Sequence, residues 1–265
     1  MASAEQPGQI SAQALLAERK RLEEEFEARY TKRITVMFTD LVGSTSITET
    51  HGDILAREMI KHHDDIIRER IEANQGVLVK TLGDGTMSYF SNTLCAIDAA
   101  VSIQNALVEF NKQKKLAMPI QVRIGINFGE GIVEEDDIYG DVVNVAARIE
   151  SQAQAEEIYI SESAYQELSE KGKYYARVIK STYLKGKAKP VQVIKVFYKQ
   201  EEIEIDRKRT ILSDVKDKLS LKGVFRVFVF FAVLIGLVYA YMTFSNLLEQ
   251  EPNVSETRSK KTTME

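Results

Sequence analysis

The sequence predicts an α+β domain followed by one transmembrane helix, and three observations support this prediction. Between residues 33 and 200, short apolar runs typical of strands alternate with longer segments whose apolar residues recur at helical spacing. A Gly-Asp-Gly turn at 83–85 joins two strand-like runs as a hairpin. Residues 227–244 are uncharged and almost wholly apolar, and a helix of this length can just cross the roughly 30 Å core of a bilayer.

Each element of the domain follows from its own pattern. The run that begins at Arg33 is nearly all apolar and ends in Asp40, as expected of a buried strand. A long helix is predicted from Ser44, with Ser44 or Thr45 as its N-cap, and the hairpin of residues 76–90 follows it. The later elements are a helix at 93–114, a strand in 120–133, a helix at 140–153, a strand at 156–161, a short helix near 162–168 and final strands that include 191–198.

The order strand, helix, strand, strand, helix, strand is the ferredoxin-like βαββαβ plan, here with additions at its C-terminal end. This order and the composition divide the chain into five predicted segments. They are an N-terminal segment with a charged helix (1–32), the ferredoxin-like domain (33–200), a linker (201–223), the transmembrane helix (224–245) and a polar tail (246–265).

The charged N-terminal helix is predicted from about Gln13 to Tyr30. Its apolar residues Leu15, Leu22, Phe26 and Tyr30 recur at four- and seven-residue intervals, so they share one face. A stripe this short is compatible with a helix that pairs with a second copy and with one that packs on its own domain. Both interpretations stay open.

Composition excludes several classes of protein. The net charge is −4 and the basic residues are scattered, so no nucleic-acid partner is expected. The one cysteine, Cys95, cannot form an intramolecular disulfide, which fits a reducing compartment. His62 and His63 are adjacent on a predicted helix and lack the spacing of a metal site, and we expect them to face solvent or the edge of the core.

The apolar run near the C-terminus predicts a single-pass anchor in the cell membrane. Its alternative is a buried core helix, but the run is apolar on every face and follows the globular part. Aromatic residues near one end, Tyr239 and Tyr241, are typical of a membrane interface. Basic residues before the span place the domain on the cytoplasmic side, with membrane lipid as a partner: Lys216, Lys218, Lys222 and Arg226.

Two acids mark a candidate metal and phosphate site. Asp40 ends a predicted strand, and Asp84 lies in the hairpin turn between Gly83 and Gly85. If the strands are neighbours, both carboxylates reach the same rim of the sheet, where they suit Mg²⁺ bound with a phosphate substrate. Residues 40–45 lead into a helix whose first amides favour bound phosphate. The alternative is that Asp40 only caps a helix and Asp84 only forms a turn.

Five blocks between residues 33 and 200 read ITVMFTDLVGSTSITE, VKTLGDG, VRIGINFGEG, DIYGDVVNVAARIE and LKGKAKPVQVIKVF. In their order and spacing, these blocks resemble the catalytic domain of the class III adenylyl cyclases. Phe128 departs from the commonest pattern of the family, which has a small or polar residue there, and this concerns only the arm near the dimer contact.

The resemblance implies a role for each matching residue. Lys80 and Asp137 resemble the pair that recognises adenine, and Asn144 and Arg148 the pair that stabilises the transition state. The positions matching metal contacts are Asp40, Leu41 and Asp84. Those matching triphosphate contacts are Leu41, Val42, Gly43, Ser44, Thr45, Arg123 and Lys185.

The resemblance also implies the reaction and the assembly. ATP would be converted to cyclic AMP and pyrophosphate, with two Mg²⁺ or Mn²⁺ per active site. In the family one domain supplies the metal aspartates and a second domain supplies the other residues. Since this chain carries both sets in one domain, a homodimer with two sites is expected.

Two alternatives remain beside this expectation. A guanylate cyclase would have the same fold, but an acid and a small residue are typical at the positions of Lys80 and Asp137. A catalytically inactive cyclase-like domain could serve as a membrane-anchored dimerisation or nucleotide-sensing module, although it would have no reason to keep all six central residues. Nothing in the sequence identifies a sensor, so any regulatory membrane partner is unidentified.

Overall fold

A computed structural model describes residues 11–135, 137–183, 189–218 and 221–249. The chain divides into two compact units, Met1–Ile203 and Glu204–Glu265. Most of the tail predicted at 246–265 lies outside the described residues, and so does Lys185.

The first unit is an α+β domain, which confirms the predicted class. A Ser11 hydroxyl caps the N-terminal helix by accepting from the Ala14 amide at 3.1 Å. The elements in chain order are α1 (Ala12–Tyr30), β1 (Thr31–Leu41), α2 (Ser44–His51), α3 (Asp53–Ala73), β2 (Val77–Leu82), β3 (Gly85–Phe90), α4 (Thr93–Lys112), β4 (Val122–Val133), β5 (Ile138–Tyr139), α5 (Asp141–Glu150), β6 (Ile158–Ser161), α6 (Glu162–Glu167), β7 (Tyr175–Thr182), β8 (Val191–Phe197), α7 (Gln200–Lys218) and α8 (Leu221–Glu249).

The strands form one sheet in the order β2-β3-β1-β4-β6-β8-β7, and the short β5 pairs with the end of β4. Strand β1 is central and antiparallel to both β3 and β4. Strands β4 and β6 are parallel. The end of β1 therefore lies beside the start of β4 and beside the turn that precedes β3, which sets the position of the candidate site.

The long helix predicted from Ser44 is two helices in the structure. Gly52, with φ of 84°, separates α2 from α3 in a conformation that favours glycine. The N-cap of α2 is Gly43, with φ of 80°, rather than Ser44 or Thr45. The prediction of one continuous helix was therefore wrong, because the periodic apolar pattern hid the break at the glycine.

The two faces of the sheet bury different helices. Met37 and Leu41 of β1 belong to the larger core, which includes residues of α3 and α4. Ile34 and Val36 belong to a second cluster, with Val142 of α5. Side chains of a strand alternate between faces, so the even-numbered Asp40 shares the α5 face of the sheet.

Helix α5 lies very close to the sheet at one point. A Cβ atom on Gly125 of β4 would be 2.1 Å from the backbone nitrogen of Glu150, so this position requires glycine. The close approach holds the C-terminal end of α5 against the first residues of β4. The packing therefore brings Glu150, the last residue of α5, close to the C-terminal end of β1.

The second unit contains most of α7 and all of α8. Within α8, residues Phe228–Ser245 are long and apolar enough to cross a membrane, and none of this stretch is buried. Helix α4 is also long and apolar enough to cross a membrane, but 44% of it is buried and it contributes to the larger core. The predicted linker 201–223 overlaps α7 and the first residues of α8.

Candidate active site

The structure brings Asp40 and Asp84 together at the end of β1. Asp40 lies opposite Gly85 in the antiparallel pair, and the Leu41 amide donates to the Asp84 carbonyl at 3.3 Å. A Cβ atom on Gly85 would be 2.5 Å from the Thr39 carbonyl oxygen, so the glycine permits this close turn. Burial raises the pKa of Asp40, Arg123 opposes this, and the nearby negative charge of Asp84 raises it further.

Arg123 lies opposite Asp40 in the other pair of β1 and bridges two acids. Its Nη2 atom is 2.6 Å from Asp40 Oδ2, and its Nε atom is 2.9 Å from the same oxygen. The Nε atom is also 2.5 Å from Glu150 Oε1. The guanidinium that the sequence assigned to triphosphate contact is thus held between the candidate metal ligand and the last residue of α5.

Glu150 is a member of this cluster that sequence reasoning missed. Its residue surface is 9% exposed. Burial raises its pKa to about 7; Arg123 opposes that shift, while the charges of Asp40 and Asp84 add to it. In the sequence it is one more acid at the end of an amphipathic helix, and such acids are usually solvated, so no signal separated it from them.

The loop between β1 and α2 is fixed by its own contacts. The Val42 amide donates to the Gln121 carbonyl at 2.8 Å, so this amide and that of Leu41 are both engaged within the protein. The Ser44 hydroxyl donates to the Asp84 carboxylate. Gly43 precedes α2, whose first amides have no acceptors within the helix. The side chain of Thr45 is outside the described part.

Lys80 and Asp137 form a direct pair within one chain, although they are 57 residues apart. Lys80 Nζ lies 2.8 Å from Oδ1 and 2.7 Å from Oδ2 of Asp137. The carboxylate also accepts from the Ile138 amide at 2.8 Å and from the Tyr139 hydroxyl. The hydrogen bond from Lys80 is the main cause that lowers the pKa of Asp137.

Apolar packing brings this pair together, because Ile138, next to Asp137, belongs to the same buried cluster as Met87, the residue opposite Lys80. Lys80 lies opposite Met87 in the β2–β3 hairpin. Asp137 directly precedes β5, the short strand that pairs with the last residues of β4. Sequence reasoning did not identify Tyr139, a residue that is 48% exposed and whose hydroxyl donates to the same carboxylate.

Asn144 and Arg148 lie four residues apart on α5 and so share one side of that helix. Asn144 is exposed and Arg148 is half-buried. Helix α5 thus carries three polar residues relevant to the site, with Glu150 at its end among the acids around Arg123.

His63 differs from the expectation that it faces solvent or the edge of the core. It is fully buried, because Met59, His63, Ile67 and Ile71 recur every four residues along the inner side of α3. Its Nδ1 atom is 2.9 Å from Asp64 Oδ1, and its Nε2 atom has no hydrogen-bond partner within the described residues. The prediction of a peripheral position was wrong for this histidine.

Comparisons with known proteins concern the domain as a whole. The family model for the adenylate and guanylate cyclase catalytic domain matches residues 26–198. An adenylate cyclase of Anabaena cylindrica is 32% identical over 191 residues, which cover 65% of this chain and 38% of that protein. The chain spans well under half the length of the curated relatives it matches.

Two solved structures are similar in fold. The adenylyl cyclase CyaB from P. aeruginosa has a TM-score of 0.60 at 24% identity, and the match covers 64% of this chain and 96% of CyaB. The guanylyl cyclase Cya2 has a TM-score of 0.56 at 26% identity, over 63% of this chain and 92% of Cya2. The fold is therefore common to enzymes named for either base. With the match to the family model across most of the domain, the chain belongs to the adenylate and guanylate cyclase catalytic domain family, the class III nucleotidyl cyclases.

Proposed function

We propose that this chain is an adenylate cyclase, which converts ATP to cyclic AMP and pyrophosphate at sites formed between two copies. The observation that carries the choice of base is the Lys80–Asp137 pair, with contacts of 2.8 and 2.7 Å. Adenine presents an acceptor at N1 and a donor at its 6-amino group, so an ammonium and a carboxylate complement it side by side. Guanine presents the reverse pattern at these positions, which this pair would not satisfy.

The cluster at the end of β1 has the donor chemistry for divalent metal. Asp40, near the end of β1, and Asp84, in the turn before β3, supply carboxylate oxygens, which suit Mg²⁺ or Mn²⁺. Burial and then the charge of Asp84 raise the pKa of Asp40, and a cation would neutralise that charge. We assign two such ions per site to Asp40 and Asp84, with Leu41 as a further contact. When bound, these ions supply activation of the ribose 3′-oxygen and neutralisation of phosphate charge.

Arg123 links the acids to the phosphates in this proposal. In the structure its guanidinium contacts Asp40 through Oδ2, so a metal ion bound to that oxygen would compete with this ion pair. Glu150 keeps a second contact to the guanidinium and so retains it near the site. Arg123 would then meet the triphosphate, together with the first amides of α2 at residues 43–45 and with Lys185.

The remaining steps belong to α5 of the second chain. Arg148 would stabilise the negative charge that grows on the α-phosphate as the ribose 3′-oxygen attacks and pyrophosphate leaves. Asn144, on the same side of α5, would orient the ribose. Because each chain carries both residue sets, a homodimer has two equivalent sites and a monomer has none that is complete.

Helix α8 supports a membrane location for the enzyme. We assign the catalytic domain to 33–200, the linker to 201–223 and the span to 224–245, with the catalytic domain on the cytoplasmic side of the cell membrane. The support is the exposed apolar stretch Phe228–Ser245 and the basic residues that precede it.

The test is product formation by the purified full chain, in detergent, with ATP or GTP and either Mg²⁺ or Mn²⁺. We expect cyclic AMP from ATP, no detectable product from Asp40→Ala, and wild-type product from Asp98→Ala. Asp98 is a matched control, because it lies on α4 and its partners Lys173 and Tyr174 lie in the segment between α6 and β7, outside the cluster. Wild-type product no greater than that of Asp40→Ala would favour an inactive module, and preferential formation of cyclic GMP from GTP would overturn the base assignment.

A further inference from the structure

Gln121, immediately before β4, holds the loop between β1 and α2 through its main chain. Its carbonyl accepts from the Val42 amide at 2.8 Å, which extends the β1–β4 pairing by one bond beyond Leu41. Its side-chain amide donates to Glu156 Oε1 at 3.0 Å. One residue therefore connects the phosphate loop, defined as residues 41–45, to an acid on the segment before β6.

Glu156 is held in an uncommon conformation. Its φ is 63°, in the left-handed region that residues other than glycine rarely adopt. Such a conformation persists where surrounding contacts hold it, and two do so here: its amide donates to the Val122 carbonyl at 2.9 Å, and its carbonyl accepts from the Tyr198 hydroxyl at 3.1 Å. The main chain is thus fixed, and the carboxylate has a set position between two partners.

The second partner of this carboxylate is Lys199, the residue before α7. Its ammonium donates to Glu156 Oε2, and it lies 3.7 Å from Glu202 in the first turn of α7. The hydrogen bonds from Lys199 and then Gln121 lower the pKa of Glu156, so the carboxylate stays charged at neutral pH. A continuous series of contacts therefore runs from the start of α7 to the Val42 amide.

We infer that Gln121 and Glu156 are positioning residues for the phosphate loop, and that Lys199 couples this loop to the start of α7. The inference rests on the proposed function, which assigns residues 43–45 of this loop to the triphosphate. A shift of Lys199 would remove one of the two partners of the Glu156 carboxylate. That carboxylate would then hold the Gln121 side chain less firmly, and the hydrogen bond from the Val42 amide to the Gln121 carbonyl would weaken. Since the chain continues from α7 into the apolar α8, displacement of α7 would change how tightly the loop holds substrate.

The experiment compares Lys199→Met with Lys195→Met in the full chain. Lys195 is a matched control, because it binds Glu157 at 2.7 Å and Glu202 at 3.1 Å but does not contact Glu156 in the described residues. We expect Lys199→Met to raise the KM for ATP roughly 3- to 30-fold, with kcat within about two-fold of wild type, and Lys195→Met to leave both near wild type. Lys199→Arg should restore the wild-type KM.

Two further measurements separate this inference from the proposed function. Hydrogen exchange of the Val42 amide should be faster in Lys199→Met than in wild type or Lys195→Met, and this readout needs no activity. Adding Lys199→Met to Gln121→Leu should raise KM no further than Gln121→Leu alone, because both changes break one series of contacts.

Each failure has its own meaning. Unchanged Val42 exchange in Lys199→Met would overturn the coupling, even if the chain makes cyclic AMP normally. Faster exchange with unchanged KM would overturn the positioning role. If the wild-type chain makes no cyclic nucleotide, the proposed function fails on its own, and the exchange measurement still decides whether Lys199 controls the loop.

Discussion

Arg123, which lies on β4 opposite the end of β1, has more carboxyl groups near it than its one positive charge can balance. Arg123 contacts Asp40 and Glu150, and Asp84 lies close enough to raise the pKa of both acids. Two carboxyl groups contact one guanidinium and a third lies nearby, so burial first, and then repulsion from Asp40 and Asp84, leave Glu150 with a pKa of about 7. In the absence of metal, this cluster should make stability depend on pH.

The sign of that dependence follows from Glu150. Its pKa is about 7 in the folded chain and 4.5 as the reference value, so the folded state binds the proton more tightly. Its contribution to stability is complete below about pH 4.5 and is lost as pH rises through about 7. With EDTA present, the free energy of unfolding of the wild type should fall by on the order of 2 kcal/mol between pH 4.5 and 7.5. Glu150→Gln should not show this fall.

Urea unfolding of the metal-free protein across this pH range measures the effect. Glu109→Gln is the control, since Glu109 pairs with Lys112 on an exposed helix surface. The stability of this variant should depend on pH as that of the wild type does. A slope in Glu150→Gln equal to that of the wild type would contradict the assignment of the shifted pKa to Glu150.

Only some residues of the site could be predicted from the sequence. Asp40 and Asp84 were predicted because a strand end and a Gly-Asp-Gly turn are local patterns. The Lys80–Asp137 pair joins residues 57 apart, so its partners came from family resemblance rather than from any local rule. Glu150 depends on the close approach at Gly125, which is a property of tertiary packing.

Among the elements, helices and strands with clear periodicity were predicted within a few residues. The hairpin, α4 and the strands of the central sheet follow their apolar patterns. The break between α2 and α3 was missed, because a single glycine such as Gly52 is tolerated inside many helices and the apolar pattern does not reveal its φ of 84°. The partner of α1 was left open, and Leu15, Leu22 and Phe26 remain 43–56% exposed in the single chain.

Helix α8 leads to a prediction at the scale of one element. Deleting residues 221–265 should release the protein from membranes, because the exposed apolar stretch Phe228–Ser245 is removed. Cyclic AMP formation should persist, with a steeper dependence on protein concentration, since the catalytic residues all lie within the first unit.

Sedimentation of membranes after an alkaline wash, followed by a cyclase assay on both fractions, measures this. The matched control deletes only residues 250–265 and keeps α8, and it should remain with the membranes. Truncated protein that still sediments with membranes, while soluble markers do not, would show that α8 is not the anchor.

For the whole molecule, the central proposal is that each chain carries two different halves of a site. Asp40 and Asp84 form one set with Arg123 and Glu150, and Lys80 with Asp137 belongs to another. The sequence and a single chain define these sets, but neither contains the second copy, so the shared site follows from the resemblance to the family. A dimer with two-fold symmetry joins the sets twice.

Complementation between two inactive variants tests this account most directly. Asp40→Ala and Arg148→Ala chains, each inactive alone, are mixed in equal amounts and allowed to exchange partners, and cyclic AMP is measured. Half of the dimers should then be mixed, each with one intact site of two, so activity should recover to about a quarter of wild type. Absence of recovery, with mixed dimers demonstrated by pull-down of differently tagged chains, would contradict a site shared between two copies.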